Sequence, residues 1–152
     1  MKKLSVFAMA TMLVGSVAFA ATVQVPWFND NGGDVIAGSG GVPSGSTGAA
    51  SWIRIKNNHT ASVTCTITYY DRDGVMIVPT PNTFGLTAGQ VQAWRPGRLD
   101  PAEGQGALVP NSTATNGSAV ITSDGPANTL MGSVTIIKTT GNESAYLVPI
   151  GG

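Results

Sequence analysis

The chain has 152 residues, eight basic against eight acidic side chains, one histidine and one cysteine. Without the first twenty residues, which hold Lys2 and Lys3, the remaining 132 carry six basic and eight acidic groups, a net charge of −2, and Arg54, Lys56, Arg72, Arg95, Arg98 and Lys138 are scattered. Clustered cations that would neutralise phosphates are missing, so nucleic acid and anionic lipid are not expected partners. A single cysteine also rules out an internal disulfide.

"MKKLSVFAMATMLVGSVAFA" (1–20) begins with two lysines, continues as an apolar run and ends in Ala18-Phe19-Ala20. This is the pattern of a secretory signal cleaved after Ala20. The expected destination is therefore export, to the periplasm or beyond the cell. No later stretch is apolar enough for a helical span, so no membrane insertion is expected after cleavage.

Residues 21–30 then give a first strand, "TVQVPWF", and 31–48 a Gly/Ser-rich tether in which seven of eighteen residues are glycine. The domain core is expected from 49 to 152. It is made of short alternating, β-branched segments bounded by Gly, Pro, Asn and Asp: "ASWIRIKN" (50–57), "SVTCTITYY" (62–70), "VMIVP" (75–79), "NTFGLT" (82–87), "VQAWR" (91–95), "SAVITS" (118–123), "GSVTIIKTT" (132–140) and "AYLVPI" (145–150). Such spacing predicts an all-β antiparallel sandwich of about seven to nine strands. Pro26 and Pro149 interrupt the first and last strands, which marks both as sheet edges.

His59 and Cys65 lie six positions apart and could be read as a base and its nucleophile. In "SVTCTITYY", however, Val63, Cys65, Ile67 and Tyr69 share the apolar face, while His59 falls in the Asx-rich turn before the strand. Six extended residues span roughly 20 Å, whereas a nucleophile and its base must meet within about 3 Å. A core thiol and a turn histidine are expected. "YYDRDG" (69–74) suggests calcium through Asp71 and Asp73, but the distal glutamate of a calcium loop does not follow, and Asp-Gly between apolar strands is a hairpin signal. Asn29, Asp30, Asn31 and Asp34 in "NDNGGD" are oxygen donors of the kind any loop uses. No metal or cofactor is expected.

"IRIKNN", "VTCTITYYDRDG" and "FGLTAGQVQAW", between Trp52 and Trp94, resemble the middle strands of bacterial extracytoplasmic immunoglobulin-like sandwiches. The resemblance covers about a third of the chain and implies an immunoglobulin-like fold. Its motifs are turn chemistry, so it implies no activity, and the paired cysteines of antibody-type domains are absent. Sandwiches of that kind serve as adhesins, filament subunits, surface proteins and binding modules.

The candidate binding residues are Trp52, Trp94, Arg95, Arg98, Asp100 and Glu103. Trp52 alternates onto the same face as Arg54 and Lys56, expected to be the wetter one, and Trp27 and Trp94 sit at strand ends. Exposed tryptophan stacks on sugars or anchors protein contacts; buried, it completes a core. The irregular stretch 95–117 follows Trp94, and Arg95 or Arg98 is expected to pair there with Asp100 or Glu103. A hydrolase could draw an acid pair from Asp100 and Glu103, but two carboxylates three residues apart on a Pro- and Gly-rich loop lack the rigid separation that chemistry needs. Asn58, Asn111, Asn116 and Asn142 open N-x-S/T triplets, which matter only where a host attaches glycans.

The sequence thus predicts an exported, non-catalytic sandwich acting as a structural or interaction protein at the cell surface, bound to copies of itself or another surface protein. A carbohydrate-binding module is the alternative. The 31–48 tether, up to roughly 60 Å when extended, would let strand 21–28 pair within its own domain or complete a neighbour's edge.

Overall fold

A computed structural model describes residues 20–34, 43, 48–98 and 109–138, together with the backbone of 145–151. All but the last residue of the expected signal (1–20), most of the expected tether, and Asp100 and Glu103 lie outside the described residues. Among the described residues there are nine strands and no helix: β1 (Thr22–Asn29), β2 (Ala49–Asn57), β3 (Val63–Asp71), β4 (Met76–Ile77), β5 (Thr83–Leu86), β6 (Val91–Trp94), β7 (Asn116–Ser123), β8 (Leu130–Lys138) and β9 (Ala145–Gly151). They form two antiparallel sheets. One runs β1-β7-β3-β4 with β5 also on β3, the other β6-β2-β8-β9.

Period-2 alternation is what the strands obey. On β3, Val63, Cys65, Ile67 and Tyr69 are buried while the threonines between them face outward, and β7 answers with Ile67 opposite Ile121 and Tyr69 opposite Ala119. Val23, Val25 and Phe28 of β1, Ile53 and Ile55 of β2, Trp94 of β6, and Val134 and Ile136 of β8 close the core between the sheets. Each such side chain removed from water contributes about 1.5–3 kcal/mol. Phe28 meets Tyr69 edge-on, with centroids 5.9 Å apart and planes at 81°, a favoured aromatic geometry.

Pro26 and Pro149 lie where prolines are tolerated: β1 ends one sheet and β9 the other. Between Val25 and Phe28 the register with β7 slips by one residue. That bulge carries Pro26 and turns Trp27 outward while Phe28 returns to the core. β1 pairs with β7 of its own chain. Immunoglobulin constant-type domains place their first two strands side by side in one sheet; here β1 and β2 lie in different sheets.

The turns are held by the side chains that marked them. Asp71 Oδ1 accepts the amides of Asp73 (2.9 Å) and Val75 (2.8 Å), and Gly74 supplies φ 81°. Asn57 donates from Nδ2 to the carbonyls of Ala61, Leu86 and Thr87 and accepts the His59 amide, tying two turns at one end of the sandwich. Gln90 Oε1 accepts the Thr87 amide at 2.8 Å across the "LTAGQ" turn.

Candidate functional site

β6 turns Trp94 into the core, and the next residue, Arg95, lies against the ring of Trp52, its guanidinium carbon 5.9 Å from the centroid. Trp52 lies on the Arg54–Lys56 face, as the alternation predicts, yet is only 2% exposed. Arg95 is itself fully buried. Its Nε and Nη2 donate to Asp30 Oδ1, at 2.8 and 2.5 Å, and Nη1 donates to the Gly33 carbonyl at 3.0 Å. The other carboxylate oxygen of Asp30 accepts the Gly97 amide at 2.8 Å. Burial pushes the Asp30 carboxyl above its ordinary value, and the Arg95 charge and hydrogen bonds, with the Gly97 amide, oppose that rise.

Trp52, expected on the wetter face, and Trp94, expected at a strand end, are both buried, at 2% and 0% exposed. Trp52 lies under the Arg95 guanidinium, and its Nε1 has no hydrogen-bond partner among the described residues. Trp94 Nε1 donates to Tyr69 Oη at 3.0 Å, and Tyr69 Oη donates to the Pro110 carbonyl at 2.7 Å. These groups tie the ends of β1 and β6 and the chain before β7 into one end of the sandwich. Arg95 is paired there with Asp30. Arg98 remains at the surface and donates to Asp34 at 3.0 Å, with side chains 43% and 89% exposed. Of the six predicted residues the fold joins Trp52 with Arg95 and leaves Arg98 on the rim.

Cys65 is buried between Phe84 and Ser123 of the neighbouring strands, and its thiol is pushed up to about 12 by desolvation and then by Asp124. His59 Nδ1 accepts the Ala61 amide at 3.3 Å in the turn. The thiol and the imidazole thus occupy the core and the rim. Among the described residues, no three His, Cys, Asp or Glu gather where they could hold a metal ion.

The exposed apolar side chains lie elsewhere. Trp27 stands on the β1 bulge; Val75, Met76 and Val78 surround β4; Val91 and Met131 lie on the outer face of β6 and β8, all between 47% and 61% exposed. Arg54, Lys56, Val91, Met131, Gly132 and Ser133 line a shallow concavity of about 290 Å³. The signal for this face was in "VQAW": placing Trp94 in the core drives Gln92 in and Val91 out, an inverted pattern.

No family model and no curated protein matches the chain. Among solved structures, Thermotoga maritima 1070 superposes with a TM-score of 0.53 at 15% identity, over 88% of this chain and 93% of that one. The Anabaena sensory rhodopsin transducer gives 0.41 at 19% identity, over 82% and 100%. The first likeness is one of fold, an all-β arrangement of two sheets; at these identities neither carries an activity across.

Proposed function

We propose that this is an exported, non-catalytic sandwich that works as a structural or interaction protein at the cell surface, associating with copies of itself or with another surface protein. The observation that supports it is the grouping of half-exposed apolar side chains on two separate surfaces, Val75, Met76 and Val78 on one and Val91 and Met131 on the other. Grouped apolar exposure of this kind marks contact surfaces, whereas single exposed residues need no explanation. An immunoglobulin-like fold belongs to the proposal; the strand alternation and turn chemistry support it, and the placement of β1 and β2 in different sheets departs from the constant-type order. Self-assembly could also use β1, an edge strand, as a donated strand. Light scattering of the mature protein across a wide concentration range tests the reading: association that rises with concentration supports it, and a strict monomer throughout counts against it.

Trp27 favours a second reading, a carbohydrate-binding module. It is the tryptophan that stays exposed among the described residues, at 47% on a sheet edge, where a sugar ring can stack. Trp27→Ala should then abolish retention on a polysaccharide panel while leaving the melting temperature unchanged. If the unmodified protein is not retained by any member, this reading falls.

A further inference from the structure

We propose that the β3–β4 hairpin of one copy docks on the outer face of β6, β2 and β8 of the next, joining copies of this chain head to tail. The inference rests on the self-association reading above and names its interface.

The two surfaces differ in charge. On the outer face, Arg54 is anchored by Nη1 to Thr135 Oγ1 at 2.6 Å, and Lys56 stands exposed two residues on; neither has an acidic partner among the described residues. Val91 and Met131, both in the wall of the concavity, flank Lys56 across the ladder, because Lys56 pairs in register with each of them. On the hairpin, Asp71 and Asp73 precede exposed Val75, Met76 and Val78. Arg72 lies 3.6 Å from Asp73 and offsets one of the two charges, leaving the tip net negative.

These charges select the arrangement. A face meeting the same face would bring Arg54 and Lys56 against their own copies, and two hairpin tips would oppose their aspartates. Only the pairing of face with tip brings opposite charges together while covering apolar side chains on both partners. Met76 and Met131 suit such a contact because a thioether side chain adapts to an irregular surface.

Topology prevents the contact from closing within one chain. The face belongs to one sheet and the hairpin to the other. Lys56 lies beside the turn that leads into β3, and the nine residues of β3 then carry the chain to Asp71 at the opposite end, a distance of roughly 27 Å. Two different surfaces at opposite ends make a heterologous interface, which yields rings or open filaments rather than a closed dimer.

The test uses two variants of the mature protein. Val91→Glu with Met131→Glu spoils the face and keeps the tip; Val75→Ser with Met76→Ser spoils the tip and keeps the face. All four residues are half exposed, and should the first variant fail to fold, Lys56→Glu alone replaces it. In sedimentation velocity the wild type should form species that grow with concentration and shrink in high salt. Each variant alone should lose at least tenfold in association constant, and an equimolar mixture should give 1:1 heterodimers and nothing larger. A wild type that associates while either variant associates equally well, or while the mixture stays monomeric, would overturn this interface and leave self-association to another surface. A wild type that stays monomeric at every concentration would remove the self-association reading itself.

Discussion

Asp30 and Arg95 stand 65 positions apart in the chain and meet in a fully buried ion pair at one end of the sandwich. Asp30 closes β1 and Arg95 closes β6, so the pair joins the two sheets where their strands end. Removing one partner leaves an uncompensated charge in the interior, which costs about 3–5 kcal/mol. Asp30→Ala and Arg95→Ala should each lower the unfolding free energy, read from urea titration, by that amount. The combined Asp30→Leu, Arg95→Met variant should lose less than the two single losses together, because no lone charge remains. Additive losses would show that the pair is not a unit.

Gly132 and Gly85 separate strain from propensity. A Cβ on Gly132 would sit 1.9 Å from the Arg54 carbonyl oxygen, a backbone atom held by the β2–β8 ladder, whereas a Cβ on Gly85 meets nothing within 4 Å. Gly132→Ala should therefore cost more than about 2 kcal/mol. Gly85→Ala should be neutral or stabilising by about 0.4–1 kcal/mol, because it restricts the unfolded chain without strain. Equal midpoints for the two variants in denaturant titration would contradict this packing.

The strands were legible because each alternates cleanly and is bounded by turn residues, and the prolines of β1 and β9 announced edges that the sheet order shows. Trp52 shows where legibility stopped. Its face followed from the alternation with Arg54 and Lys56, but its burial depends on Arg95 lying over the ring, a contact between strands that no local pattern contains. Sequence proximity points Arg95 or Arg98 to Asp100 or Glu103. The described partner, Asp30, arrives through the pairing of β1 with β7, which is a property of the assembled sheets. Val91 and Met131 form one surface only through the ladder register, which sets both beside Lys56.

Cys65 should give stability an alkaline limit. Its thiol is raised from 9.0 to about 12, so the folded chain keeps a proton that the unfolded chain releases above pH 9. The stability associated with the neutral thiol is complete below pH 9 and is lost as pH climbs toward 12, at up to about 1.4 kcal/mol per pH unit. Cys65→Val keeps an apolar side chain and removes the titration. Urea midpoints of the two proteins, measured at pH 8, 9.5 and 10.5, should converge or cross as pH rises; parallel lines would mean that the thiol is not held neutral by the core. Tyr69, also raised by burial, titrates in both proteins and cancels from the comparison.

Strand β1 supplies Val23, Val25 and Phe28 to the core and leads directly into Asp30, so removing residues 21–30 opens the space between the sheets and leaves Arg95 without its carboxylate. Residues 31–152, produced without 21–30, should therefore lack the β-sheet signal that residues 21–152 give in circular dichroism. A synthetic peptide of residues 21–30 added in trans should restore it with 1:1 stoichiometry, because the β7 edge and the core seat remain encoded in the rest of the chain. The bulge at Pro26 and Trp27 gives the register a check of its own. Pro26→Val should leave the peptide able to rescue, since this position lies exposed on an edge strand, whereas Phe28→Ala should lose the ring contact with Tyr69 and about 3–5 kcal/mol with it. A deletion variant that melts at the wild-type temperature without the peptide would show that β1 is not seated in this core.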